Sequence, residues 1–148
     1  MNIYTLDVIL ISGPITDKFL KKNPVVTRTI AVRGDQTLED LHHAIFKAFD
    51  RFDEHMYEFQ MGGKGPDDPK AKRYGLSGLD NLTGYVANTT FDALRLKKDA
   101  VFGYWFDFGD DWWHQVNVDA IEQKNDNLKY PKIIKRVGKS PPQYEDVD

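Results

Sequence analysis

FGYWFDFGDDWWHQVNV, residues 102–118, is the stretch that decides the fold. Phe102, Tyr104, Phe106 and Phe108 recur at period two, and so do Trp112, His114, Val116 and Val118 on the far side of an acidic turn. Such alternation marks half-buried strands, so residues 101–108 and 112–120 are expected to form an antiparallel pair. The connection Asp107-Phe108-Gly109-Asp110-Asp111 suits a hairpin, with Gly109 expected at positive φ and the aspartates bonding local amides. Trp105 and Trp113 fall on the opposite face from those rings, beside Gln115, Asn117 and Asp119. All three tryptophans of the chain lie in this stretch.

Upstream, residues 3–11 alternate through Tyr4, Leu6, Val8 and Leu10 and end at Ser12-Gly13-Pro14. A β-branched run, residues 25–33, follows an irregular connection and reads as a second strand. Thr37 has the character of a helix N-cap, with Asp40 placed to complete an approximate capping box. Leu38, Leu41, Ile45, Ala48 and Phe49 then repeat at helical spacing over residues 38–49. Residues 55–61 alternate as a third strand ending at Gly62-Gly63. Glycine- and proline-rich residues 62–90 predict a long loop, with a short strand or turn near Tyr74 to Leu79; loops of that length are commonly functional. One helical turn is expected near Thr90 to Leu96, a further strand over residues 130–137, and a fraying acidic tail. One main helix for five or six strands implies an α+β fold: a mainly antiparallel, curled or split sheet packed against that helix. Residues 1–148 are expected to be a single domain.

Composition narrows the chemistry. There is no cysteine, which removes disulfides, zinc-thiolate sites and thiol nucleophiles and points to a reducing, cytoplasmic setting. The N-terminal segment has neither a basic region nor a cleavage signal, and its apolar run is too short for a bilayer. A net charge of -3 and a pI near 5.8 argue against nucleic acid as a partner of the whole surface. Protein or small-molecule ligands fit better. Asp107-Phe108-Gly109 shares letters with a kinase metal-binding tripeptide, but the glycine-rich loop and catalytic loop that such an enzyme needs are missing.

The runs LEDLHHAIFKAF, DEHMYEF and YWFDFGDDWWH, with Tyr130-Pro131 and Pro141-Pro142 near the end, resemble the plasmid pRiA4b ORF-3-like family, some of whose members carry a transposon-passenger TnpR-like label. The resemblance spans nearly the whole chain and implies a shared fold rather than an activity. Two places differ from the family pattern. Val26-Thr27-Arg28 stands where Trp-Arg-Arg is frequent, and Ser140-Pro141-Pro142-Gln143 stands where Cys-Pro-Pro-Glu-Asp is usual. A serine recombinase would need an activated serine and a basic DNA-reading module, and Ser12, Ser77 and Ser140 all lie in Gly- or Pro-flanked loops.

Three functional readings remain open at this stage. In the first, the chain is a binding module whose recognition surface is the aromatic hairpin with loop 62–90, using exposed Trp105 and Trp113 as a stacking platform; in a two-sided, barrel-like sheet those rings would instead be second-layer core. In the second, His42, His55 and His114 converge with Asp107 and Asp110 in a cleft for metal-dependent or acid–base hydrolysis, with His114, Asp107 and Asp110 as metal candidates. His114 on an apolar face reads more readily as a core-edge histidine with satisfied nitrogens. In the third, Lys132, Lys135 and Arg136 within the basic stretch from Lys129 to Lys139 contact phosphates as a nucleic-acid accessory. Lysines there also suit a solvated sheet edge. No cofactor is indicated by any motif.

Overall fold

The computed structural model describes residues 1–64, 66 and 68–144. One eight-stranded sheet organises the chain: β1 (Asn2–Ser12), β2 (Thr27–Arg33), β3 (Tyr57–Met61), β4 (Lys72–Gly75), β5 (Gly84–Tyr85), β6 (Val101–Phe106), β7 (Trp112–Gln123) and β8 (Lys132–Val137). Their spatial order is β5-β4-β3-β6-β7-β1-β2-β8, antiparallel throughout except between β4 and β5. The α+β expectation is met, as one continuous sheet. Among the described residues three α-helices accompany it: α1 (Asp17–Lys22), α2 (Leu38–Ala48) and α3 (Phe91–Leu94). The acidic tail, residues 145–148, expected to fray, lies outside the described residues.

The period-two sequences place one apolar face inward. Tyr4, Leu6, Val8, Ile30, Val32, Phe59, Phe102, Tyr104, Phe106, Trp112, Val116 and Val118 are all buried, and α2 lays Leu38, Leu41, Ile45 and Ala48 against them. The α2 start is the anticipated capping box: the Asp40 amide donates to Thr37 Oγ1 at 3.2 Å, and the Thr37 amide donates back to Asp40 Oδ2 at 2.9 Å. Buried Arg28 closes the other end, donating from Nε to the Ala48 carbonyl at 2.8 Å and from Nη1 to Val137 and Gly138. That one side chain ties β2 to the helix C-terminus and to the end of β8.

Three local expectations are corrected. The connection after β1 is not wholly irregular: α1 forms there, with Thr16 accepting from the Phe19 amide as its N-cap. In the 62–90 segment the short strand expected near Tyr74 is β4, but β5 and a 3-10 turn at Val86–Asn88 stand where only loop was expected. In the hairpin turn the left-handed residues are Asp107 (φ 63°) and Asp111 (φ 57°) rather than Gly109. Asp107 Oδ1 accepts from the Gly109 and Asp110 amides, so the carboxylate holds a conformation that glycine would otherwise supply. That turn also breaks the alternation: Phe108 leaves the inner face and packs on Trp105, ring centroids 4.1 Å apart.

Candidate functional site

The four histidines, His42, His43, His55 and His114, occupy three environments. His42, on α2, is buried face-to-face on Tyr57, with ring centroids 3.6 Å apart. Its Nδ1 meets the Tyr104 hydroxyl at 2.6 Å, and its Nε2 meets Glu54 at 2.8 Å. With Tyr104 donating to Nδ1 and Nε2–H donating to the carboxylate, every polar atom of this relay is satisfied by a neutral ring. Burial pushes the His42 pKa down to about 3, helped by the nearby His43 and Arg51. The Glu54 contact favours an imidazolium, but Glu54 is half exposed while His42 is encased in rings, so desolvation wins.

His114 sits deeper, behind Tyr104. Its Nε2 accepts from Arg51 Nη2 at 2.8 Å, which leaves Nδ1–H to donate to the Tyr104 carbonyl at 3.2 Å. Burial first, and the Arg51 charge second, hold its pKa well below the ordinary value. Both nitrogens are thus engaged inside the core rather than with the turn aspartates. Arg51 itself is 8% exposed, with its guanidinium about 5.0–5.2 Å from the ring centres of Phe49, Phe106 and Trp112. Desolvation lowers its pKa to about 10.

His55 and Asp107 do come together, outside that core. His55 Nε2 lies 3.5 Å from Asp107 Oδ2 and 3.6 Å from Asp53 Oδ2. The Tyr144 hydroxyl bridges His55 Nε2 and Asp53 Oδ2 at 2.6 Å each. The Asp53 hydrogen bond, with some burial, pushes the Tyr144 pKa up to about 12. Gln143 braces the node: its Oε1 accepts from the Phe52 and Asp53 amides, and its Nε2 donates to the Asp53 carbonyl. Asp110 is exposed on the turn, within electrostatic reach of Tyr144. The Phe106 ring separates this node from His42, at 6.0 Å from His55 and 5.9 Å from His42. His42, His55 and His114 therefore ring one aromatic cluster without sharing a cleft.

The outer face of the sheet carries the tryptophans. Register places Trp105 opposite both Glu58 and Trp113, and Gly103 opposite Gln60. Trp105 and Trp113 stack at 4.9 Å and 5°, and Trp105 Nε1 donates to Asp111 at 2.8 Å. Both rings are half-buried. With Glu58, Gln60, Asp68, Pro69 and Arg73 they wall a recess of about 360 Å³. Arg73 holds Glu58 through Nε at 2.8 Å and Nη2 at 2.5 Å, and Glu58 accepts from Gln60 at 2.8 Å. A second hollow of about 250 Å³ lies against Trp113, lined by Ile11, Ser12 and Pro66. Ser12 pairs with Trp113 from β1, whereas Trp105 approaches from β6, so the hollow borders the side of Trp113 that Trp105 leaves uncovered.

Lys132, Lys135 and Arg136 are exposed on β8, at one end of the strand order. Lys132 and Arg136, with Lys47, Lys129 and His43, line an open groove of about 680 Å³ between α2 and β8. Sequence reasoning missed Arg51, Glu54, Tyr104, Gln143 and Tyr144 as partners of the histidines, and Glu58 and Arg73 as partners of the tryptophans. Glu54 and Arg51 sit in what reads as a polar exit from α2, and nothing in the spacing ties residues 143 and 144 to residues 53–55.

Among the described residues no helix is long and apolar enough to cross a membrane. No curated protein matches the chain. A crystallised protein of unknown function, MM3350 from Methanosarcina mazei Go1, is similar in structure, with a TM-score of 0.76 and 25% identity over 96% of this chain and 72% of that one. Two of the runs that carry the family resemblance meet the end of the chain in space: DEHMYEF supplies His55, the hairpin supplies Asp107, and the stretch after Pro142 supplies Gln143 and Tyr144. The sequence signature of the plasmid pRiA4b ORF-3-like protein family matches residues 18–148, and the chain belongs to that family.

Proposed function

We propose that the chain is a small cytoplasmic binding module, and that its ligand occupies the recess on the outer face of the sheet. The observation that carries this is the stacked, half-exposed Trp105–Trp113 pair walling a concavity with the Glu58–Arg73 ion pair and Gln60. Large rings left partly in water beside polar groups whose geometry is fixed by hydrogen bonds are the ordinary composition of a ligand site. The indole wall favours a flat apolar face. Gln60, Glu58 and Arg73 offer both donors and acceptors, so the matching ligand is a small planar ring with a polar edge, of which a nucleoside is the simplest representative. The cysteine-free composition fits the compartment. Calorimetric titration with the common nucleosides tests this directly. Binding by the parent chain that is lost in Trp113→Leu and weakened in Arg73→Ala supports it; equal heats from parent and Trp113→Leu would remove the recess as the site.

A second reading rests on a different observation, the 3.5 Å approach of His55 to Asp107 at the partly open node. An imidazole oriented by two carboxylates can move protons, which suits acid–base hydrolysis. A screen of nitrophenyl ester and phosphate substrates against parent and His55→Ala decides it. Identical rates from both would dismiss that reading.

A further inference from the structure

We infer that His42, His43 and Glu54 form a binding site for a divalent transition-metal cation, separate from both the recess and the His55 node. Their ligand atoms all lie within 4.8 Å of one another. His42 Nε2 is 2.8 Å from Glu54 Oε1, and His43 Nδ1 is 3.8 Å from Glu54 Oε2. Ligands of a tetrahedral zinc ion, with bonds of roughly 2.0–2.2 Å, stand roughly 3.3 Å from one another, so Glu54 needs to draw back from His42 by about 0.5 Å and His43 to close by up to about 1.5 Å. His43 and Glu54 can supply that movement, because their side chains are 62% and 51% exposed.

His42 cannot move, and need not. Stacking on Tyr57 and the Tyr104 hydroxyl fix its plane and leave Nε2 aimed at Glu54. A ligating histidine whose other nitrogen is hydrogen-bonded is the usual arrangement around a bound metal. On binding, the Nε2 proton moves to Nδ1 and the hydrogen bond to Tyr104 reverses, with Tyr104 oxygen accepting; the ring stays neutral and no net proton is released. Burial already keeps it neutral. Two imidazoles and one carboxylate select Zn²⁺, Co²⁺, Ni²⁺ or Cu²⁺ over Mg²⁺ or Ca²⁺, which want oxygen alone. The exposure of His43 and Glu54 leaves room for water in the remaining positions. Charge around the site is mixed: Arg51 opposes a cation, while Glu54 and the Glu39 carboxylate, which acts on the neighbouring Tyr57, favour one.

Zn²⁺ and Mg²⁺ titrated separately into the intact chain, followed by calorimetry and by thermal denaturation, test the inference. The expected result is one Zn²⁺ per chain with a raised Tm, no response to Mg²⁺, and affinity reduced about tenfold or more in each of His43→Ala and Glu54→Gln. His55→Ala and Asp107→Asn, at the neighbouring node, should bind Zn²⁺ as the parent does. Because the two ligand variants alter exposed side chains, their unchanged Tm without metal confirms folding. The inference is overturned if the parent takes up no Zn²⁺, or if either ligand variant binds it undiminished.

Discussion

Arg28 and Arg51 are both buried guanidinium groups, yet they are held in opposite ways. Arg28 donates to the carbonyls of Thr27, Ala48, Val137 and Gly138, four acceptors that a shorter side chain would leave in the core without partners. Arg51 is caged by three rings; its Nη2 donates to His114 alone, and its Nη1 has no hydrogen-bond partner among the described residues. Arg28→Met should therefore cost roughly 3 kcal/mol, whereas Arg51→Met, which puts an apolar chain in an apolar cage and orphans one buried acceptor, His114 Nε2, should cost about 1 kcal/mol. Urea unfolding of both variants measures the difference; equal losses would refute the contrast. The buried histidines make a second residue-scale prediction. His42 and His114 have folded pKa values below the unfolded one, so between those values the unfolded state binds more protons and stability falls as pH falls. For His42 the loss between about pH 7 and pH 5 is on the order of 2 kcal/mol, and His114 adds to it in the same direction. A stability flat over that window would show that neither ring is held neutral by burial.

At the scale of elements, what the sequence made legible was what repeats. Period two in β1, β6 and β7 and the capped helical stripe of α2 follow from local patterns, because one face of each must be buried. The hairpin turn was legible as a turn but not in its backbone, since glycine is the ordinary left-handed residue and here aspartates take that role. Asp107→Asn keeps both a tolerated positive φ and an acceptor for the Gly109 and Asp110 amides; Asp107→Ala keeps neither. The alanine variant should lose about 1–2 kcal/mol and the asparagine variant much less, as read by thermal denaturation. Gly103 has a different reason for being glycine. A Cβ there would stand 2.8 Å from the Pro66 backbone and 2.5 Å from Gln60 Oε1. Gly103→Ala should push Pro66 off the sheet and weaken any ligand of the recess while β6 stays paired, a combination that backbone amide NMR would show. Helix α1 was missed although Thr16-Asp17 is a fair start signal, because six residues are too few for periodicity to register.

At the scale of the whole molecule, the sites depend on contacts that sequence patterns do not encode. His55 meets Tyr144 across 89 positions, and Gln143 seats against Phe52 and Asp53 across 91 and 90. DEHMYEF, the hairpin and residues 143–144 gave no sign of this meeting, since each reads locally as strand, turn or tail. Gln143→Ala, by orphaning two backbone amides, should destabilise the fold by about 2 kcal/mol and loosen the His55 node; unaltered stability would mean that the brace is not holding. Sheet order has the same global character. Only the pairing of β6 with both β3 and β7 brings Trp105 beside Trp113 and above Glu58, and so makes a polar recess from residues far apart in the chain. The chain's three indole N–H resonances give the most direct view of that recess, since Trp112 is buried in the core and serves as an internal reference. In a nucleoside titration, the indole signals of Trp105 and Trp113 should shift while that of Trp112 stays in place. Unmoved Trp105 and Trp113 signals, or shifts confined to the His55 node or to the α2–β8 groove, would contradict a binding site on the outer face of the sheet.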